Sequence, residues 1–197
     1  AASDAEHPGH EFRRRGLALP VDPAPDAEAA IRALLAEADR YLASLAGEGI
    51  AEVRTGLARW RDGPVATGGR ETAVTRAYLG TALAALDAEQ PALAEAIARA
   101  APWLDWVTYD DYAPGTVGEA FAKGHAYASL VGPVSALPAE DFDLGLFLIA
   151  PHVLYRDHRH PAPELYVPLT GPHGWRFGPD RPLVERPAHM PVWNPPG

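Results

Sequence analysis

Apolar and polar positions alternate in two different rhythms along the chain. After Pro25 and Asp26, apolar side chains recur at Ile31, Leu34, Leu35, Ala38, Leu42 and Leu45. Three- and four-residue steps predict an amphipathic helix, with acids in its first turn and Gly47 near its end. A second run from Thr72 puts Val74, Tyr78, Leu79, Leu83 and Leu86 on one face. Pro91 suits the first turn of a third helix that carries Leu93, Ile97 and Leu104. The intervening "GPVATGGRET", from Gly63, lacks the Gly-Lys-Ser/Thr ending of a phosphate loop and reads as a connection.

Beyond Pro102 the rhythm shortens. "HAYASLVG", "FDLGLFLIA", "HVLYRD", "ELYVPLTG", "GWRFG" and "PLVERPAHMPVW" are short apolar stretches between turn signals, and each predicts a strand. Strands at this spacing predict a sandwich or barrel. Prolines 151, 161, 163, 168, 172 and 182 mark strand ends and edges. The expected organisation is a helical region, residues 1–102, packed on a β-barrel, residues 103–197.

Composition narrows the function. A chain of 197 residues with no cysteine has no disulfide, thiolate metal site or cysteine nucleophile. A net charge of −9 argues against nucleic acid and mildly favours a cationic ligand. No apolar run reaches the length of a membrane span, and the N-terminal stretch has no apolar core of a signal peptide. A cytoplasmic location is expected, with the periplasm as the alternative.

The chemistry concentrates in "YRDHRHPAPELYVPLTG", Tyr155 to Gly171. His158 and His160 are two apart, as are Glu164 and Tyr166, and residues two apart share one face of a strand. A hairpin turning at "PAP" would bring two imidazoles, a carboxylate and a phenol together. Such nitrogen and oxygen donors suit Zn, Fe or Mn. His125 and His152 lie outside this pattern and read as structural, and His173 as a turn residue. Arg156 and Arg159 read as solvent-facing.

The spacing His158-x-His160, Glu164, Gly171 resembles the first cupin motif, although His152 stands where that motif has an earlier glycine. Tyr155, "HRHPAPELY" and "LTG" further resemble the cupin dimethylsulfoniopropionate (DMSP) lyases, the Ddd group, in their DddQ-like branch. The resemblance covers about the last hundred residues, including "WVTYDDYAPGTVGEAFAKGHAYASLVGP" and "LGLFLIAPHVLYRDH". It implies a mainly β fold with added α, a cupin barrel of the double-stranded β-helix or jelly-roll type under an N-terminal helical layer. It implies cleavage of DMSP to dimethyl sulfide and acrylate. Carried over by position, it makes His158, His160, Glu164 and Tyr166 ligands of one divalent transition metal, with Tyr166 also the base and Tyr155 its catalytic partner. A further ligand is expected from a later strand. His189 is one candidate; the other is a residue beyond Gly197, because "PPG" at 195–197 can open the second cupin motif and a barrel needs further strands.

The elimination has chemical requirements of its own. A proton α to a carboxylate must be removed, so the base must be strong, and a phenolate beside a cation is one that exists at neutral pH. The leaving sulfide is neutral, while its sulfonium precursor is a cation that aromatic faces attract. Trp103, Trp106, Tyr109, Tyr112, Tyr127, Trp175 and Trp193 are candidates for that wall. The expected partner is a small zwitterion; exposed barrel edges leave room for a homodimer. The alternatives are another metal cupin enzyme, a dioxygenase or isomerase, and a cupin that binds a small ligand without turnover.

Overall fold

The structure is a computed structural model, and it describes residues 25–108, 118–155, 161–178 and 180–196. Helix α1, Pro25–Ala43, carries acids in its first turn and Arg40 in its last. Its apolar stripe is buried as the spacing predicts: Ala27, Ala30, Ile31, Leu34, Leu35, Tyr41 and Leu42 are all at most 5% exposed. Helix α2, Ile50–Trp60, was not anticipated; Gly49 precedes it and Gly56 lies within it, and glycine ordinarily weakens a helix. Both glycines instead make room. Gly49 begins the helix with a left-handed φ of 80°, under the ring of Trp193. A Cβ on Gly56 would sit 2.5 Å from the ring of Phe142.

The second expected helix is present with a defect. Thr72 and Thr75 cap each other, the Thr72 amide donating to the Thr75 hydroxyl (2.9 Å) and the Thr75 amide to the Thr72 hydroxyl (3.1 Å). Residues Thr75–Leu79 then form a π-turn that runs into α3, Gly80–Asp87. The wider turn shifts the face that follows it. Val74 and Leu86 are buried, whereas Tyr78, expected beside them, is 38% exposed. Helix α4, Pro91–Ala100, starts on its proline and buries Leu93, Ala94, Ile97 and Ala100. A 3₁₀ turn, Ala101–Trp103, ends this layer, and a short α5, Glu119–Lys123, precedes the first strand. The 63–72 loop is a connection, held by amides of Ala66 and Arg70 on the carbonyls of Ala136 and Leu104.

Strand β1, His125–Gly132, coincides with the expected "HAYASLVG". It pairs in parallel with β2, Leu137–Pro138, and antiparallel with β3, Leu144–Ile149. Its two faces differ. Ala126, Ala128 and Leu130 join the helical core, and Leu144, Leu146 and Leu148 pack against it from β3. Alternation turns His125, Tyr127 and Ser129 to the other side, opposite Ile149, Phe147 and Gly145. A register shift between Ser129 and Val131 marks a bulge.

The remaining strands form two ribbons. Strand β4, Glu164–Tyr166, pairs with β7, Val192–Asn194, and β5, His173–Trp175, pairs with β6, Val184–Arg186. Among the described residues the strands make three small sheets and no closed barrel. Mixed α and β structure is therefore seen, while "HVLYRD" is not a strand where described: Pro151 and His152 form a turn and 153–155 are irregular. Among the described residues no helix is long and apolar enough to cross a membrane.

Candidate active site

Glu164 and Tyr166 lie two apart on β4, and the short strand projects both to one face. The Tyr166 phenol hydrogen-bonds the Glu164 carboxylate. Asn194, opposite Glu164 on β7, directs its amide at the same carboxylate from 3.5 Å. Burial is the main force holding the Tyr166 phenol protonated. The neighbouring Glu164 carboxylate adds to it, followed by the Tyr155 and Tyr127 phenols, and together they push its pKa well above the usual tyrosine value. The ring of Trp175, on β5, lies 5.1 Å from the Tyr166 ring. Its indole nitrogen is buried without a hydrogen-bond partner among the described residues.

Tyr155 and Tyr127 belong to an aromatic cluster. Phe121 stacks between His125 (4.1 Å) and Tyr155 (4.2 Å), and Phe147 leans on Tyr155 (5.6 Å), His125 (5.7 Å) and Tyr127 (6.1 Å). The structure thus draws Tyr127, Tyr155, Glu164, Tyr166 and Trp175 into one region. His125 is fully buried, its Nδ1 2.5 Å from the Phe121 carbonyl. Trp106 sits in the helical core with its indole N–H on the Ala101 carbonyl, and Trp103 packs on that core. Trp193 covers Gly49. Tyr109 and Tyr112 lie outside the described residues, as do Arg156 and Arg159.

His158 and His160 also lie outside the described residues. Among those described, no group of three or more His, Asp or Glu side chains is arranged to hold a metal ion. The Glu164–Tyr166 pair nevertheless fits one side of such a site, since a carboxylate and a phenol converge as oxygen donors. His189 is placed elsewhere in the fold. Its Nδ1 meets the Tyr41 hydroxyl at 2.7 Å, its Nε2 faces Glu89 at 3.5 Å, and its amide donates to the Pro168 carbonyl. Its φ is 63°, a left-handed backbone seen also at His152, with the same angle. His152 therefore adopts a backbone conformation that favours glycine.

The Tyr41–His189 contact ties α1 to the turn before β7, and β7 is the partner of the Glu164 strand. Burial, then the charge of Glu89, raises the Tyr41 pKa to about 12. A raised tyrosine pKa stabilises the fold fully below the unfolded value near ~10 and loses that contribution as pH rises through the folded value. Tyr41→Phe should therefore cost about 1 kcal/mol at neutral pH, from the lost hydrogen bond. The gap to the native protein should close between roughly pH 10 and 12. Urea unfolding at pH 7, 9 and 11 measures it; a gap that stays constant would show that the phenol contributes no titrating term.

The model of the dimethylsulfoniopropionate lyase family matches residues 49–197. The chain belongs to the DMSP lyase family. A Cereibacter sphaeroides protein provisionally named dimethylsulfoniopropionate lyase DddL is 34% identical over 80 residues, 40% of this chain. That match spans 33% of the relative's length. A chain from the crystal structures of the DMSP lyases RdDddP and RnDddQII superimposes with a TM-score of 0.58 at 19% identity, over 86% of this chain and 83% of that one. That solved structure shares the fold of this chain.

Two participants were missed in the sequence. Asp143 and Ser129 hold Tyr127 in place, and neither lies in the histidine-glutamate segment. The available signal was alternation in "HAYASLVG", which puts Ser129 on the face of Tyr127.

Proposed function

We propose that the protein cleaves dimethylsulfoniopropionate to dimethyl sulfide and acrylate by β-elimination. The observation that carries the reading is the convergence of the Tyr166 phenol and the Glu164 carboxylate on one strand face, within an aromatic enclosure. Family membership supports the substrate class.

The strand sets the reacting pair. Tyr166, as phenolate, accepts the proton from the carbon next to the substrate carboxylate. The electrons of that C–H bond form the new C=C bond, and the C–S bond electrons leave with sulfur as neutral dimethyl sulfide. Acrylate keeps the carboxylate, and the proton on Tyr166 returns to solvent. The packed rings of Phe121, Tyr155 and Phe147 exclude water beside the pair. The buried Trp175 indole N–H is a donor available to a substrate oxygen. A divalent Zn, Fe or Mn ion held by His158, His160, Glu164 and Tyr166 would supply positive charge for the substrate carboxylate and the phenolate. The reading includes a cupin-type barrel around this site.

The test is headspace detection of dimethyl sulfide from purified protein supplied with Zn, Fe or Mn and DMSP under nitrogen. Release without oxygen is expected, which an oxygenase would not give. Absence of release with all three metals would overturn the reading.

A further inference from the structure

Tyr127 is held by more contacts than packing alone requires. Its hydroxyl donates to Asp143 Oδ1 at 2.8 Å, and Ser129 donates to the same oxygen at 2.9 Å. Space for this network depends on two missing side chains. A Cβ on Gly145 would run into the Tyr127 phenol, and one on Gly132 would lie 2.8 Å from Asp143 Oδ1 and 2.7 Å from Ser129 Oγ. The β1 bulge falls at the same place, between Ser129 and Val131, and bulges re-aim side chains beside functional sites. On its other flank the Tyr127 ring meets Phe147, which touches Tyr155. The phenol also lies close enough to Glu164 for that carboxylate to act on it, and close enough to Tyr166 to act on that phenol in turn.

We infer that Asp143, seconded by Ser129, is a positioning residue that aims the Tyr127 phenol at the Glu164–Tyr166 pair. The inference rests on the lyase reading above. A carboxylate accepting two hydroxyl donors fixes where the phenol oxygen points, whereas a ring held only by packing can shift along its pocket. Asparagine at 143 keeps a carbonyl acceptor for both hydroxyls; alanine removes it.

Four variants test this: Asp143→Ala, Asp143→Asn, Tyr127→Phe and the Asp143→Ala/Tyr127→Phe pair. Asp143→Ala and Tyr127→Phe should each lower kcat about tenfold while KM moves less than about threefold, and the pair should lose no more than either alone. Asp143→Asn should stay within about threefold of the native kcat. A second readout needs no turnover. In protein labelled with 3-fluorotyrosine, the fluorine line absent from Tyr127→Phe should move in Asp143→Ala and hold its place in Asp143→Asn. Multiplying losses in the pair, an unmoved fluorine line in Asp143→Ala, or full activity of Tyr127→Phe would overturn the role. If Asp143→Ala fails to fold, Tyr127→Phe and Asp143→Asn still decide it through kcat. Native protein that releases no dimethyl sulfide would remove the lyase reading and this role together. An active native protein with unaffected variants removes this role alone.

Discussion

Tyr166→Phe is expected to abolish dimethyl sulfide release, with a loss of about 10³-fold or more. The substitution deletes one oxygen. The ring still contacts Trp175, and the β4–β7 pairing, which is backbone, is untouched. Only the hydroxyl and its hydrogen bond to Glu164 disappear. Stability should therefore change by no more than about 1 kcal/mol, with either sign, because a buried phenol next to a carboxylate is costly to hold. The same electrostatics makes a related forecast. Burial and the Glu164 carboxylate keep the phenol protonated in the protein alone. Protein stripped of bound cations should be inactive at neutral pH and regain activity when metal is restored. Thermal unfolding, kcat and metal content measured on the same samples check both statements. A folded Tyr166→Phe protein with native kcat would dismiss Tyr166 as the base. Tyr155→Phe provides a useful contrast, since its ring stacks on Phe121 and that contact survives.

The second large effect is on stability. Gly49→Ala places a methyl group into the Trp193 ring while the backbone holds φ at 80°. A left-handed alanine costs roughly 1–2 kcal/mol, and overpacking typically adds 1–3. A total of about 2–5 kcal/mol is therefore expected. Trp193 pairs with Leu165, between Glu164 and Tyr166, so strain relieved by moving Trp193 would displace the site strand. Activity should fall at temperatures where the variant is still folded. Gly80→Ala is the control. It lies at the start of α3 with open space where its Cβ would be, so the exchange should be neutral or stabilising by up to about 1 kcal/mol. Denaturant unfolding of the two variants separates loss of room from mere loss of glycine.

These two positions also show what the chain discloses on its own. Glu164 and Tyr166 were legible as partners because both are local: a two-residue step on a strand settles their common face. The bounds of β1 and the burial of the α1 stripe follow from equally local periodicity. Helix α2 was hidden because Gly49 and Gly56 have tertiary reasons for being glycine. Their vacant Cβ positions are filled by Trp193 and Phe142, far along the chain. Tyr78 was misassigned because a π-turn resets the helical face without any breaker residue. The His189 contact with Tyr41 joins residues 148 apart, a separation no spacing rule reaches. The hydrogen bond of Tyr127 to Asp143 crosses to the segment before β3, beside the bulge of β1.

The two-sided sheet formed by β1 and β3 has a practical consequence for protein engineering. Ala126, Ala128 and Leu130 belong to the core, while Tyr127 and Ser129, one step away, belong to the enclosure around Glu164 and Tyr166. Diversity introduced at Tyr127, Ser129 and Phe147 therefore probes the tyrosine network without entering the helical core. The same diversity spent on the alternate positions would return mainly aggregates.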